Sequence, residues 1–189
     1  MVRFDWIERM GVHYAYHQSL LNRVVHWICI PIELGAVLGL LSVVDVGPVD
    51  AGLVAVALIG ALYCTAELFL GLLWSVQLVA IWFVASTLLA DLGLWAIVAS
   101  SAAFAVTFTV QLVLGHRIGE NGRDDTGRNL SCASMSKNPV PILLIFSYHF
   151  VEVALIAGYR PTVRARVDDA TRRELARLDA SNGHPNFAC

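Results

Sequence analysis

Four histidines lie near the ends of long apolar stretches: His13, His17, His26 and His116. Imidazole is a common ligand for first-row transition metals, so a set gathered at one place would hold an ion. The segment HQSLLNRVVH (17–26) carries two of them, with Asn22 and Arg23 in between. Nine residues of unbroken helix turn through about 900°, half a turn out of register. His17 and His26 can therefore share an ion only if the chain bends between them. Asn22 is the predicted bend, as the N-cap of a helix starting at Arg23; it then supports a site without being a ligand. GHRIGE (115–120) places His116 and Glu120 at i, i+4 on one helix face, which suits a metal pair or a histidine oriented by a carboxylate. YHFVE (148–152) places His149 and Glu152 at i, i+3, again on one face.

Gln111 stands five residues before His116, about 140° round an α-helix, and is expected to satisfy a bundle contact. Glu33, two residues after Pro31, is expensive in lipid and must face a bundle or an interface. Each histidine alone has a competing explanation as an interfacial anchor, since Trp6, Tyr14, Tyr16 and Trp27 near the same boundary fit an aromatic belt. Three histidines from distant parts of the chain, at one predicted membrane face, favour a site.

The elements that must position these residues follow from where the charge falls. The chain of 189 residues is 57% hydrophobic and 15% charged, well short of the roughly 25% charge of soluble domains. No Lys or Arg occurs between Arg23 and Arg117, and only Glu33, Asp45, Asp50, Glu67 and Asp91 interrupt that stretch. Apolar runs at about 24–44, 51–65, 70–89 and 94–115 are predicted spans. DVGPVD (45–50) and ADLG (90–93) are predicted turns, and a weak boundary falls at Glu67 and Gly71. A short amphipathic helix is expected over 4–16. Residues 116–139 are polar and rich in Gly, Ser and Asn.

The N-terminus, the loop at 117–137 and the tail with its six arginines are all basic, which places all three on the cytoplasmic side. Residues 139–158 are apolar, yet a single full crossing would carry the tail to the opposite side. They are expected to be re-entrant, with a fifth span as the alternative. The predicted fold class is thus all-α: an integral membrane helical bundle of four spans plus a re-entrant or fifth hydrophobic segment. Residues 1–159 form the membrane-embedded catalytic bundle and 160–189 a charged cytoplasmic tail, with a solvated helix at 168–179.

Several classes are excluded or disfavoured. The first 26 residues carry acids and arginines with no apolar core of a signal peptide. No basic stripe suggests nucleic acid. Cys29, Cys64, Cys132 and Cys189 lack the spacing of a zinc knuckle or a disulfide framework. A di-iron bundle would need Glu-x-x-His motifs, and none occurs. HxxHH boxes, GxSxG, HExxH and P-loops are absent too. What remains is at most a mononuclear, histidine-rich site.

YHQSLLNRVVHWICIP (16–31) resembles the opening motif of the Mpo-type 2-hydroxy fatty acid dioxygenases, through His17, Asn22, His26 and Pro31. A second block of that family resembles Gln111, Gly115, His116 and Glu120, and a third resembles Asn138, Pro139, Glu152, Gly158 and Tyr159. The blocks fall in order across residues 16–159. His149 has no counterpart in the family pattern.

The resemblance implies an Fe2+ enzyme that uses O2 to shorten a 2-hydroxy fatty acid by one carbon, with release of CO2. It implies His17, His26 and His116 as ligands, and Glu120 as a fourth ligand or a carboxylate supporting them. Three protein ligands leave an octahedral ion three open positions, for two substrate oxygens and O2. Arg23 or Arg117 is a candidate to hold the substrate carboxylate. The acyl tail would lie in the apolar bundle, among membrane lipid. The alternatives are a non-catalytic membrane protein that binds lipid or metal, and a zinc-dependent membrane hydrolase.

Overall fold

The structure, a computed structural model, describes residues 6–119 and 148–181. Helix α1 (Trp6–Tyr16) ends at His17 and Gln18, which lie outside any helix, and α2 (Leu20–Leu41) begins after Ser19. The Ser19 hydroxyl accepts the backbone N–H of Asn22 at 3.0 Å, the bond of an N-cap. Asn22 is therefore not the cap. It is the third residue of α2 and is wholly buried. The bend that the two histidines require does exist, but three residues earlier than expected, because a serine hydroxyl is short enough to reach back onto the first turn.

DVGPVD folds as predicted into a turn: β1 (Asp45–Val46) pairs antiparallel with β2 (Val49–Asp50) around Gly47, whose φ is 66°. Asp50 then caps α3 (Ala51–Ala66), accepting the Leu53 N–H at 2.8 Å and the Trp82 indole N–H at 3.0 Å. The weak boundary resolves at Glu67. Its extended backbone breaks the helix, and its carboxylate caps α4 (Leu68–Leu89) through the Leu70 N–H at 2.6 Å. Helix α4 folds back on α3, with Tyr63 edge-on to Trp74. After the ADLG turn, α5 (Trp95–Val110) continues as a π-helical stretch, Gln111–Gly119. Helix α6 (Tyr148–Ile156) is followed by α7 (Pro161–Ser181), the positive φ of Gly158 and Arg160 turning the chain between them.

Among the described residues, three helices are long and apolar enough to cross a membrane: Leu20–Leu41, Leu68–Leu89 and Trp95–Gly119. The fourth expected span, α3, has 16 residues and so rises about 24 Å, short of a hydrocarbon core of about 30 Å. Large apolar side chains point outward along these helices, with Leu88 71% and Val76 69% exposed. Such a surface is a liability in water and the stable one in lipid. Of the segment expected to be re-entrant, 139–147 lies outside the described residues. The described remainder, the nine-residue α6, rises only about 14 Å and cannot cross by itself.

Contacts divide the chain into two compact units, Met1–Arg23 with Leu114–Cys189, and Val24–Val113. In the first, α7 packs along α1. A side chain at Gly11 would stand 2.3 Å from the Ala170 Cβ, so the helices meet only because residue 11 has none. Met10 and Val167 are fully buried at this contact, and Arg173 bonds Glu8 at 2.8 Å at its edge. The tail expected to be solvated thus has one apolar face seated on α1. In the second unit the core is Leu38, Val56, Tyr63, Trp74 and Leu78 of α2 to α4.

Candidate metal centre

His17, His26 and His116 each offer one ligand atom, and these atoms all lie within 4.8 Å of one another. His17 and His26 are buried and His116 is half-buried. His17 sits in the bend after α1, where its Nδ1 donates to the His13 carbonyl at 2.8 Å. A carbonyl only accepts, so that bond fixes the proton on Nδ1 and leaves the Nε2 lone pair for an ion. His13 stacks on His17, the ring centres 3.9 Å apart, and so supports the ring without joining the set. His26 follows on α2, one turn beyond Asn22. His116 meets the His17 ring edge-on at 5.0 Å.

The π-helical stretch brings His116 into place. A π turn is wider than an α turn, and such turns recur at functional sites. Gly119 ends it, and a Cβ there would lie 3.0 Å from the Ser19 hydroxyl and 3.2 Å from the Asn22 nitrogen. The end of this stretch can approach the first turn of α2 because position 119 lacks a side chain. Sequence reasoning passed over Ser19 and Gly119. A hydroxyl just before the span and a glycine three residues after His116 were the available signals.

Around the histidines lies a charged pair. Arg23 forms a salt bridge with Glu152, whose side chain is only 2% exposed. Arg23 also lies over the Tyr14 ring, 5.9 Å from its centre. Burial, reinforced by Glu152, raises the Tyr14 phenol above its usual range, so it stays protonated at neutral pH. Glu152 therefore serves Arg23. His149, on the same face of α6, is buried and is not a member of the close set.

Gln111 takes no part in the close set; its amide donates to Glu33 at 2.5 Å. Thr107 lies beside Glu33, its hydroxyl donating to the Ala103 carbonyl at 2.8 Å, and all three side chains are buried. That accounts for the intramembrane carboxyl and bears out the bundle contact expected of Gln111. Arg117 is exposed. Glu120, Asn138 and Pro139 lie outside the described residues. Cys29 and Cys64 are free thiols, and Cys132 and Cys189 lie outside the described residues.

The donor set fits a divalent transition metal: three imidazoles, at least one with its tautomer locked, and no charge of their own. Comparison with known proteins finds no matching family model, no matching curated protein and no matching solved structure.

Proposed function

We propose that this chain is a membrane-embedded, Fe2+- and O2-dependent dioxygenase that shortens 2-hydroxy fatty acids by one carbon, with release of CO2. The observation that carries the reading is the convergence of His17, His26 and His116, ninety-nine residues apart at the extremes, on one point. The reaction balances without a further reductant: a 2-hydroxy acid and O2 give the acid one carbon shorter, CO2 and water. The substrate supplies all four electrons, so the site needs no flavin or nicotinamide.

The three histidines would hold Fe2+, which when bound supplies the means of activating O2 and a positive charge for the acid. The remaining chemistry belongs to the chain. His13 keeps the His17 tautomer fixed through its carbonyl. Glu152 and the Tyr14 ring orient Arg23, whose charge favours an anionic head. Tyr14, protonated at neutral pH, is a proton donor rather than a base. The distribution of arginines supports a site at the cytoplasmic face, where the acyl tail would point toward the lipid.

Purified protein is expected to bind one iron per chain and to consume O2 with 2-hydroxyhexadecanoic acid. Both properties should vanish in His17→Ala, His26→Ala and His116→Ala. Stoichiometric zinc with no O2 uptake would point instead to a hydrolase, for which three histidines are also a suitable set. No bound metal, with the three variants altered only in stability, would leave a non-catalytic membrane protein.

A further inference from the structure

The geometry points to Arg164, on the helix that the sequence presents as a charged tail, as a binding residue for the carboxylate of the acid, acting beside Arg23. A cavity of about 220 Å³ opens among α1, the bend after it, the first turn of α2, the end of α6 and α7. Tyr14, His17, Arg23, Leu155 and Arg164 are among its walls. His17 belongs to the proposed metal set, so a molecule in this cavity adjoins the metal position. The volume suits a polar head and not a whole lipid, since sites for drug-sized molecules run from about 300 Å³ upward.

Two guanidinium groups face one small cavity, and they are held differently. Arg23 is engaged by the buried Glu152 carboxylate, so much of its charge is already answered. Arg164 is not held in that way. Its Nη1 donates to the Leu155 carbonyl at a long 3.3 Å, and its Nε stands 3.9 Å from an Asp168 oxygen, both side chains about half exposed. A guanidinium has five N–H donors, and an exposed pair at that distance is weak. The Leu155 carbonyl steadies the group, while most of its donors stay available for a planar anion. Carboxylate is the anion that a guanidinium fork matches with two parallel bonds. Leu155, beside it, offers an apolar wall to the first carbons of the chain.

The reaction catalysed rests on the reading in the previous subsection; binding of the acid does not, and the test separates the two. Binding of 2-hydroxyhexadecanoic acid and of its primary amide would be measured on the full chain in detergent, together with O2 uptake and metal content. The wild type should prefer the acid. Arg164→Gln should weaken acid binding about 10- to 100-fold, as loss of a charge-assisted pair does, leave amide binding alone, and retain the metal. Its KM should rise more than its kcat falls. Arg164→Lys, which keeps the charge but loses the fork, should fall between. If Arg164→Gln weakens acid and amide equally, or neither, the assignment is overturned. Acid preference without O2 uptake in the wild type would sink the reaction and leave the binding residue standing. O2 uptake with acid preference intact in Arg164→Gln would do the reverse.

Discussion

The two units of this protein bury polar side chains for different ends. In the unit formed by Met1–Arg23 and Leu114–Cys189, the buried polar residues are His13, His17, Asn22, His149 and Glu152, and a cavity with two arginines in its walls opens beside them. In Val24–Val113 they are His26, Glu33, Ser100, Thr107 and Gln111, and the Gln111 amide donates to Glu33 beside Thr107 in a single knot. A polar group in a low-dielectric interior costs free energy unless it is bonded. The knot meets that condition through the Gln111–Glu33 bond and the Ala103 carbonyl that accepts from Thr107. In the first unit the cavity reaches His17, whose ligand atom lies within 4.8 Å of those of His26 and His116. The contrast teaches that buried polar groups mark a candidate site when ligand atoms from several of them gather at one place.

The strongest way to break this contrast is to remove the histidines. Any of His17→Ala, His26→Ala or His116→Ala should cut metal content to background and O2 uptake by about 100-fold or more, since few ligands remain to hold the ion. Retention of stoichiometric metal in all three would end the contrast. Next in size is the charged pair. Arg23→Met strands a Glu152 side chain that is 2% exposed and should lower stability by about 3 kcal/mol. The double variant Arg23→Met/Glu152→Met should recover most of that in thermal unfolding, and no recovery would mean the pair is not what the single variant breaks.

The knot in the second unit gives the complementary case. Glu33→Leu leaves the buried Gln111 amide without its partner and should cost about 2 kcal/mol, with iron content unchanged by elemental analysis. Loss of iron would show that the knot serves the metal after all. The smallest effect belongs to Gly119→Ala. Its new methyl must displace Ser19 or Asn22, and metal affinity should weaken about 10-fold, as for other changes in groups supporting a ligand. An unchanged affinity would remove Gly119 from the account of how His116 is placed.

Much of the fold was legible because it rests on local chemistry. Gly-Pro between acids makes the 45–50 turn, and Glu67 breaks an apolar run because its carboxylate caps the next helix. The helix of the tail was legible too, but its seat on α1 was not. Gly11, Val167 and Ala170 meet across more than 150 residues of sequence, and neither helix shows its partner in its own pattern.

For the site, the residue types and their spacing determined that His17 and His26 need a bend between them. This follows from helix geometry alone. Only the tertiary structure decided that the bend is capped by Ser19, that His13 fixes the tautomer of His17, and that Glu152 is spent on Arg23. It also decided that Arg164, far along in a charged helix, shares a cavity with His17. The physical reason is the same in each case: a helix states its own turns, whereas a hydrogen bond or a cavity needs two segments whose meeting is set by packing.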